Sequence, residues 1–220
     1  MRYAPQVGSL LLALLVSGCA SLSGPFSEPL ERGESVPPGK VLLIGNFVMD
    51  PPVKQGPLAV RAPRGTHQDV IKLFMTRDLR GSIDMSKAFG NPVDEAMDVS
   101  MRGLSAVPLA PGTRYIRAGT VMKRSTVQSN YVAPTPHMRT ANAATIDAQF
   151  VTIVKDIKLD IPANAKAVYI GTIVFKHNGN EVTRVYVRNQ YQSAMRELRR
   201  LNLSGVSTRN VVKKLAVPIK

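Results

Sequence analysis

Residues 150–188 constrain this chain more than any other stretch. Across 150–161, Val151, Ile153, Ile157, Leu159 and Ile161 share one parity, and Thr152, Asp156, Lys158 and Asp160 share the other. A period of two sends successive side chains to opposite sides of a strand, so one face is apolar and the other wet. A sheet with one wet face is typically antiparallel, because parallel sheets are covered on both faces. Pro162-Ala163-Asn164-Ala165 turns the chain, and residues 167–175 read as a fully buried strand. Asn178-Gly179 then marks a hairpin, since a tight two-residue turn needs φ > 0 at both central positions. In the returning strand Val182, Arg184, Tyr186 and Arg188 alternate against Thr183, Val185 and Val187.

The chain before this hairpin mostly reads the same way. Residues 41–49 are apolar at both parities and bounded by Pro-Gly-Lys and Asp-Pro-Pro, as a central strand would be. Shorter β candidates are 58–60 and 70–75, and Pro111-Gly112 turns into another strand over 113–123. Asn91-Pro92-Val93-Asp94-Glu95 offers a cap, a proline and two acids, which predicts a short helix to about Met101. Residues 125–148 show no period and contain Pro134, Pro136 and His137. So long a connection is either a binding loop or an insertion.

After the hairpin the period changes. Asn189 is placed to cap a helix in which Tyr191, Ala194, Met195, Leu198 and Leu201 face inward and Gly205 ends the segment. Ser207 or Thr208 could cap a second helix, with Val211, Val212 and Leu215 inward and Lys213 and Lys214 outward, stopped by Pro218. The expected fold is therefore mainly β, an antiparallel β-sandwich with two short C-terminal α-helices. It forms a single β-rich domain over 41–220, with the helical pair from about 189. With no Trp, six Phe and six Tyr, its core must be built mostly from aliphatic side chains.

The charge is one-sided. The chain carries 29 Lys+Arg against 15 Asp+Glu, a formal +14. The last 40 residues alone, from Glu181, hold nine basic and two acidic residues, a net of +7. Such an excess favours anionic partners. Arg196, Arg199, Arg200, Lys213 and Lys214 are the candidate patch for anionic lipid, lipopolysaccharide or peptidoglycan.

The N-terminus supplies an address. Arg2 is followed by an apolar run over 7–16, which is too short to span a bilayer but fits a secretory h-region. Val16-Ser17-Gly18-Cys19 then places small residues before the only cysteine. This segment resembles the lipobox of bacterial lipoprotein precursors. The resemblance implies cleavage between Gly18 and Cys19, a thioether-linked diacylglycerol on Cys19 and acylation of the new terminus. Ala20 and Ser21 follow, with no Asp, which by the same resemblance implies the outer membrane, facing the periplasm. Residues 1–18 are then the signal peptide. Residues 19–40, rich in Pro, Gly and Ser, are a lipidated flexible tether. With Cys19 lipidated no disulfide forms, and removal of Arg2 leaves 28 basic and 15 acidic residues, +13. Leu109-Ala110-Pro111-Gly112-Thr113-Arg114-Tyr115 and Val168-Tyr169-Ile170-Gly171-Thr172-Ile173 resemble small envelope lipoproteins with immunoglobulin- or transthyretin-like sandwiches.

Reaction chemistry leaves no trace in the sequence. His67, His137 and His177 lie far apart without ligand spacing, so no metal site is expected. No nucleophile elbow, P-loop or dinucleotide fingerprint occurs, and no cofactor is expected. Asp156 and Asp160 are separated by about 13 Å along a strand, with Lys158 between them, which suits charge pairing better than acid–base work. The expectation is a non-enzymatic structural or interaction module of the envelope, with membrane rather than nucleic acid as its surroundings. An accessory lipoprotein of a secretion or appendage assembly and a lipid-anchored hydrolase are the alternatives.

Overall fold

The computed structural model describes residues 26–53, 69–80, 95–129 and 144–219. It is mainly β, with two sheets and one α-helix. Eleven strands are described: β1 (Phe26–Ser27), β2 (Val41–Asp50), β3 (Val70–Thr76), β4 (Glu95–Ser100), β5 (Leu104–Leu109), β6 (Gly112–Ser129), β7 (Ala144–Ile161), β8 (Ala167–His177), β9 (Val182–Arg188), β10 (Val211–Lys213) and β11 (Val217–Pro218). The one α-helix among the described residues, α1, is Tyr191–Leu201.

Six strands order as β1-β4-β3-β6-β7-β11. The other sheet orders as β10-β8-β2-β5, with β9 also pairing with β8. The alternation over 150–161 does what its parity requires. Val151, Ile153, Ile157, Leu159 and Ile161 are buried in one core with Leu43, Phe47, Val168, Ile173 and Phe175 from the other sheet. Each such aliphatic side chain removed from water contributes roughly 1.5–3 kcal/mol. Dense burial between the two sheets is what holds them face to face.

Several expectations are corrected. The sheets are not purely antiparallel, because β2 pairs β8 in parallel, as do β10 with β8 and β1 with β4. The helix predicted up to Met101 is strand β4, whose Met97 and Val99 enter the core while Asp98 faces out. Pairing with β3 outweighs the helix-start residues, and 91–94 lie outside the described residues. The aperiodic stretch 125–148 is strand at both ends, since β6 and β7 stay paired as far as Ser129 and Ala144. Only 130–143 are outside the described residues there, as are the β candidate 58–60, His67 and His137.

The second C-terminal helix does not form. Ser207 caps a three-residue 3-10 turn, Thr208–Asn210, by accepting a hydrogen bond from the Arg209 amide. Val211 then joins the edge of β8 as β10. An unpaired stretch of strand edge offers backbone hydrogen bonds that β-branched Val211 and Val212 accept readily. Val211 is buried, but Val212 and Leu215 are about 40% exposed rather than inward. The chain next crosses to the other sheet, where Val217 and Pro218 pair with Lys158 and Ile157 of β7. The C-terminus thus ties both sheets together. The first helix ends at Asn202, in the left-handed conformation, rather than at Gly205.

The tether is also shorter than expected. β1 pairs with β4, the Leu30 amide donates to the Ala106 carbonyl, and the Gly33 amide to the Leu201 carbonyl. Leu30 and Val36 pack against the core beneath α1. Residues 26–36 are therefore docked on the domain.

Two features fix how β8 is built. Gly171, at φ +99°, absorbs an extra residue opposite the Ile44/Gly45 step of β2. This bulge reverses the parity of β8, so that Val168 and Ile170 precede it and Ile173 and Phe175 follow it in the same core. A Cβ on Gly171 would stand 2.5 Å from a Val187 methyl. At one end of the core, Arg114 Nε meets Glu95 Oε2 at 2.9 Å, with the two side chains only 6% and 16% exposed. The same guanidinium donates to the Thr113 carbonyl.

Gly171→Ala should lower the stability of the fold by at least about 1–3 kcal/mol through backbone strain alone, read as a lower urea midpoint. Arg114→Met should cost about 3–5 kcal/mol by leaving Glu95 buried without its cation. Adding Glu95→Leu should recover most of that loss in the same urea titration, because an apolar pair fills the site without an orphaned charge.

Candidate functional site

The two outer faces of the molecule treat charge differently. On the six-stranded sheet three cations have an acid beside them: Lys72 with Asp98 at 3.8 Å, Arg117 with Asp156 at 3.3 Å and Lys158 with Asp160 at 3.2 Å. Thr113 also donates to Asp160, at 3.1 Å. The two acids singled out in the sequence are thus held in separate pairs. Arg102–Asp69 joins the turns flanking the same sheet.

The outer side of the five-stranded sheet has no such pairs among the described residues. Arg196, Arg199 and Arg200 are exposed on α1, Lys213 is exposed at the end of β10, and Lys214 is exposed just after it. None of the five forms an ion pair among the described residues. At 100° per residue, Arg196 and Arg200 point away from the buried Ala194–Met195–Leu198 stripe. Arg199 leans to one flank, where its Nε donates to Thr208 Oγ1 at 3.4 Å. Lys213 stands at the start of the helix. With Asn189, Gln190, Tyr191, Gln192 and Ser193 it lines a shallow cleft of about 370 Å³. No contact brings Lys214 to that cleft.

The structure adds a group that sequence reasoning did not select. Register pairs Lys176 with Arg184, Val174 with Tyr186 and Thr172 with Arg188 on one face of β8 and β9. Lys213 pairs with Tyr169 on the same face. Lys176, Arg184 and Arg188 are exposed, and Arg188 lies over the Tyr186 ring at 5.0 Å while donating to its hydroxyl at 2.6 Å. The signal was present in the alternation Arg184, Tyr186, Arg188. Its meaning depended on which side of β9 stays uncovered. The acids on this side are Asp50, in register with Lys176, Glu197 on α1, and the exposed Glu31 and Glu34 of the docked segment, where the Glu34 carbonyl accepts the Ser204 amide.

The helix that carries three of these arginines is positioned from below. Tyr169 is fully buried in β8, and its hydroxyl accepts the Gln190 amide at 2.8 Å. Thr172 Oγ1 donates to Gln190 Oε1 at 2.8 Å, and the Tyr169 and Tyr191 rings meet edge to face at 5.3 Å. Gln190 is the N-cap and makes no side-chain cap of its own. Asn189, the expected cap, reaches the Tyr191 amide only at 3.4 Å. A tertiary hydroxyl therefore does what a local cap was expected to do. Burial, the largest cause, pushes the Tyr169 phenol above its ordinary value of 10.0.

His177 serves the hairpin. Its Nδ1 accepts the Gly179 amide at 3.0 Å, which leaves Nε2 to donate to the Pro51 carbonyl at 2.7 Å. The turn itself is a four-residue loop in which Asn178 Oδ1 accepts the Asn180 and Glu181 amides, and only Gly179 has positive φ. Among the described residues, no group of three His, Cys, Asp or Glu side chains comes together, and no helix is long and apolar enough to cross a membrane. Gly18 and Cys19 lie outside the described residues. The exposed basic residues of α1, β9 and β10 form a broad cationic face. Compared with known proteins, the chain matches no family model, no curated protein and no solved structure.

Tyr169→Phe should cost about 1 kcal/mol at neutral pH by leaving the Gln190 amide without its acceptor. The pH dependence has a definite sign. Because the folded phenol titrates above the unfolded one, its contribution is whole below pH 10.0 and is lost as pH rises through the folded value. Urea titrations at rising alkaline pH should therefore show the wild type losing its advantage over Tyr169→Phe.

Proposed function

We propose that this chain is a lipoprotein anchored through Cys19 to the outer membrane, facing the periplasm. It acts there as a non-enzymatic interaction module whose working surface is the cationic face over α1 and β9. The observation that carries the binding part is the segregation of charge. Three ion pairs lie on the outer face of one sheet, while the cations exposed over α1 and β9 on the other form none among the described residues. A surface evolved only for solubility needs net charge but no such sidedness. The lipobox-like Val16-Ser17-Gly18-Cys19 supplies the address. Two facing sheets with one covering helix fit the β-sandwich module that the envelope-lipoprotein resemblance implies.

An anchored protein of this kind needs more than one acyl chain for stable attachment. Cys19→Ser should abolish incorporation of labelled palmitate and move the protein from the membrane pellet to the soluble fraction. Unchanged fractionation together with unchanged mass in the variant would overturn the anchor.

A further inference from the structure

Resting on the lipoprotein reading, we propose that the cationic face lies directly on the anionic phospholipid headgroups of the membrane that holds the anchor. The tether limits the reach of the body. Because β1 begins at Phe26, seven residue steps separate it from Cys19. At 3.3–3.6 Å per residue they extend at most roughly 25 Å. A free tether from Cys19 to Lys40 would instead allow roughly 70–75 Å. The five-stranded sheet is four strands across, because β9 and β10 share one side of β8, and at about 4.8 Å spacing it spans roughly 14 Å. The tether therefore keeps the docked edge of the body within roughly 25 Å of the anchor, so one of its surfaces can rest on the headgroups.

Charge selects the surface. The docked segment enters where β4 and β5 adjoin, since β1 pairs with β4 and Leu30 bonds to Ala106 of β5. From that edge either outer face can turn to the bilayer. The six-stranded face offers charges already paired with one another. The five-stranded side offers Lys176, Arg184, Arg188, Arg196, Arg199, Arg200 and Lys213 against Asp50, Glu197, Glu31 and Glu34, still an excess of cations. Tyr186 and Val48, the latter 37% exposed, lie among the strand cations. An amphipathic ring and an aliphatic side chain among long cationic stems suit the headgroup boundary. Attraction to an anionic leaflet acts only within about a Debye length, near 8 Å, a separation that a tether of at most roughly 25 Å permits.

The test uses the full chain carrying Cys19→Ser, so that binding does not depend on acylation. The probes are vesicles of phosphatidylglycerol in phosphatidylcholine and of phosphatidylcholine alone. Sedimentation with the second kind reports the apolar N-terminal run. The expected result is added binding to the anionic vesicles that disappears in high salt. Arg184→Gln, Arg188→Gln, Arg196→Gln and Lys213→Gln should each weaken it about fivefold, and together by roughly 10²–10³-fold. Neutralising Lys155 and Lys158 on the other sheet should change it little. No added binding at low salt, equal loss in the control, or no loss in the single variants would overturn the proposal. Binding to lipopolysaccharide or peptidoglycan fragments without phosphatidylglycerol binding would also overturn it. Palmitate labelling of the parent chain reports on the anchor separately, so a failed anchor and a failed face give different results.

Discussion

Nine consecutive residues of β8, Ala167 to Phe175, are shielded from solvent at both parities. A strand buried on both sides needs a layer against each, and the molecule supplies them. Val168, Ile170, Ile173 and Phe175 meet the six-stranded sheet. Ala167 and Tyr169 meet Ala194, Met195 and Leu198 of α1. The bulge at Gly171 lets both requirements be met, because it shifts parity without breaking the pairing with β2. With the helix held down by that apolar stripe, its arginines can only face outward. The charged surface is thus a consequence of how β8 is covered.

The same logic explains the edges. β8 has one side for β2 and divides the other between β10 and β9. That division brings the end of β10, with Lys213, toward the end of β9, with Arg188. The C-terminal residues then cross to β7, and the hairpin tip reaches the same strand, where the Thr152 amide donates to the Asn180 carbonyl at 2.8 Å. Lys123 Nζ also donates to Gly179 and Asn180. One flank of the two-sheet body is closed by these crossings, without a disulfide.

Charge distribution follows from pairing as well. On β7 the wet positions 156, 158 and 160 alternate sign along the strand, so Lys158 finds Asp160 beside it and Arg117 of β6 finds Asp156. On β9 one parity is Arg184, Tyr186, Arg188, and its partner strand contributes Lys176. These cations form no ion pair among the described residues, and binding an anionic surface is the function we propose for them.

The periodic segments were legible because their physics is local. Alternation over 150–161, the apolar run of β2 and the inward stripe of α1 depend only on how side chains project from a strand or helix. The lipobox-like segment and the basic excess are likewise properties of the chain itself. What the tertiary structure decided lay where two local preferences competed or where a distant partner was needed. Residues 95–100 carry helix-start signals yet pair with β3. Residues 211–213 follow a cap yet fill the edge of β8. Residues 26–36 have tether composition yet bond to β4, β5 and α1. In each case backbone hydrogen bonds and burial offered by another part of the chain outweighed propensities worth a fraction of a kcal/mol per residue. Composition alone established that the protein is basic. Only the packing of β8 established that its cations without acidic partners share one side.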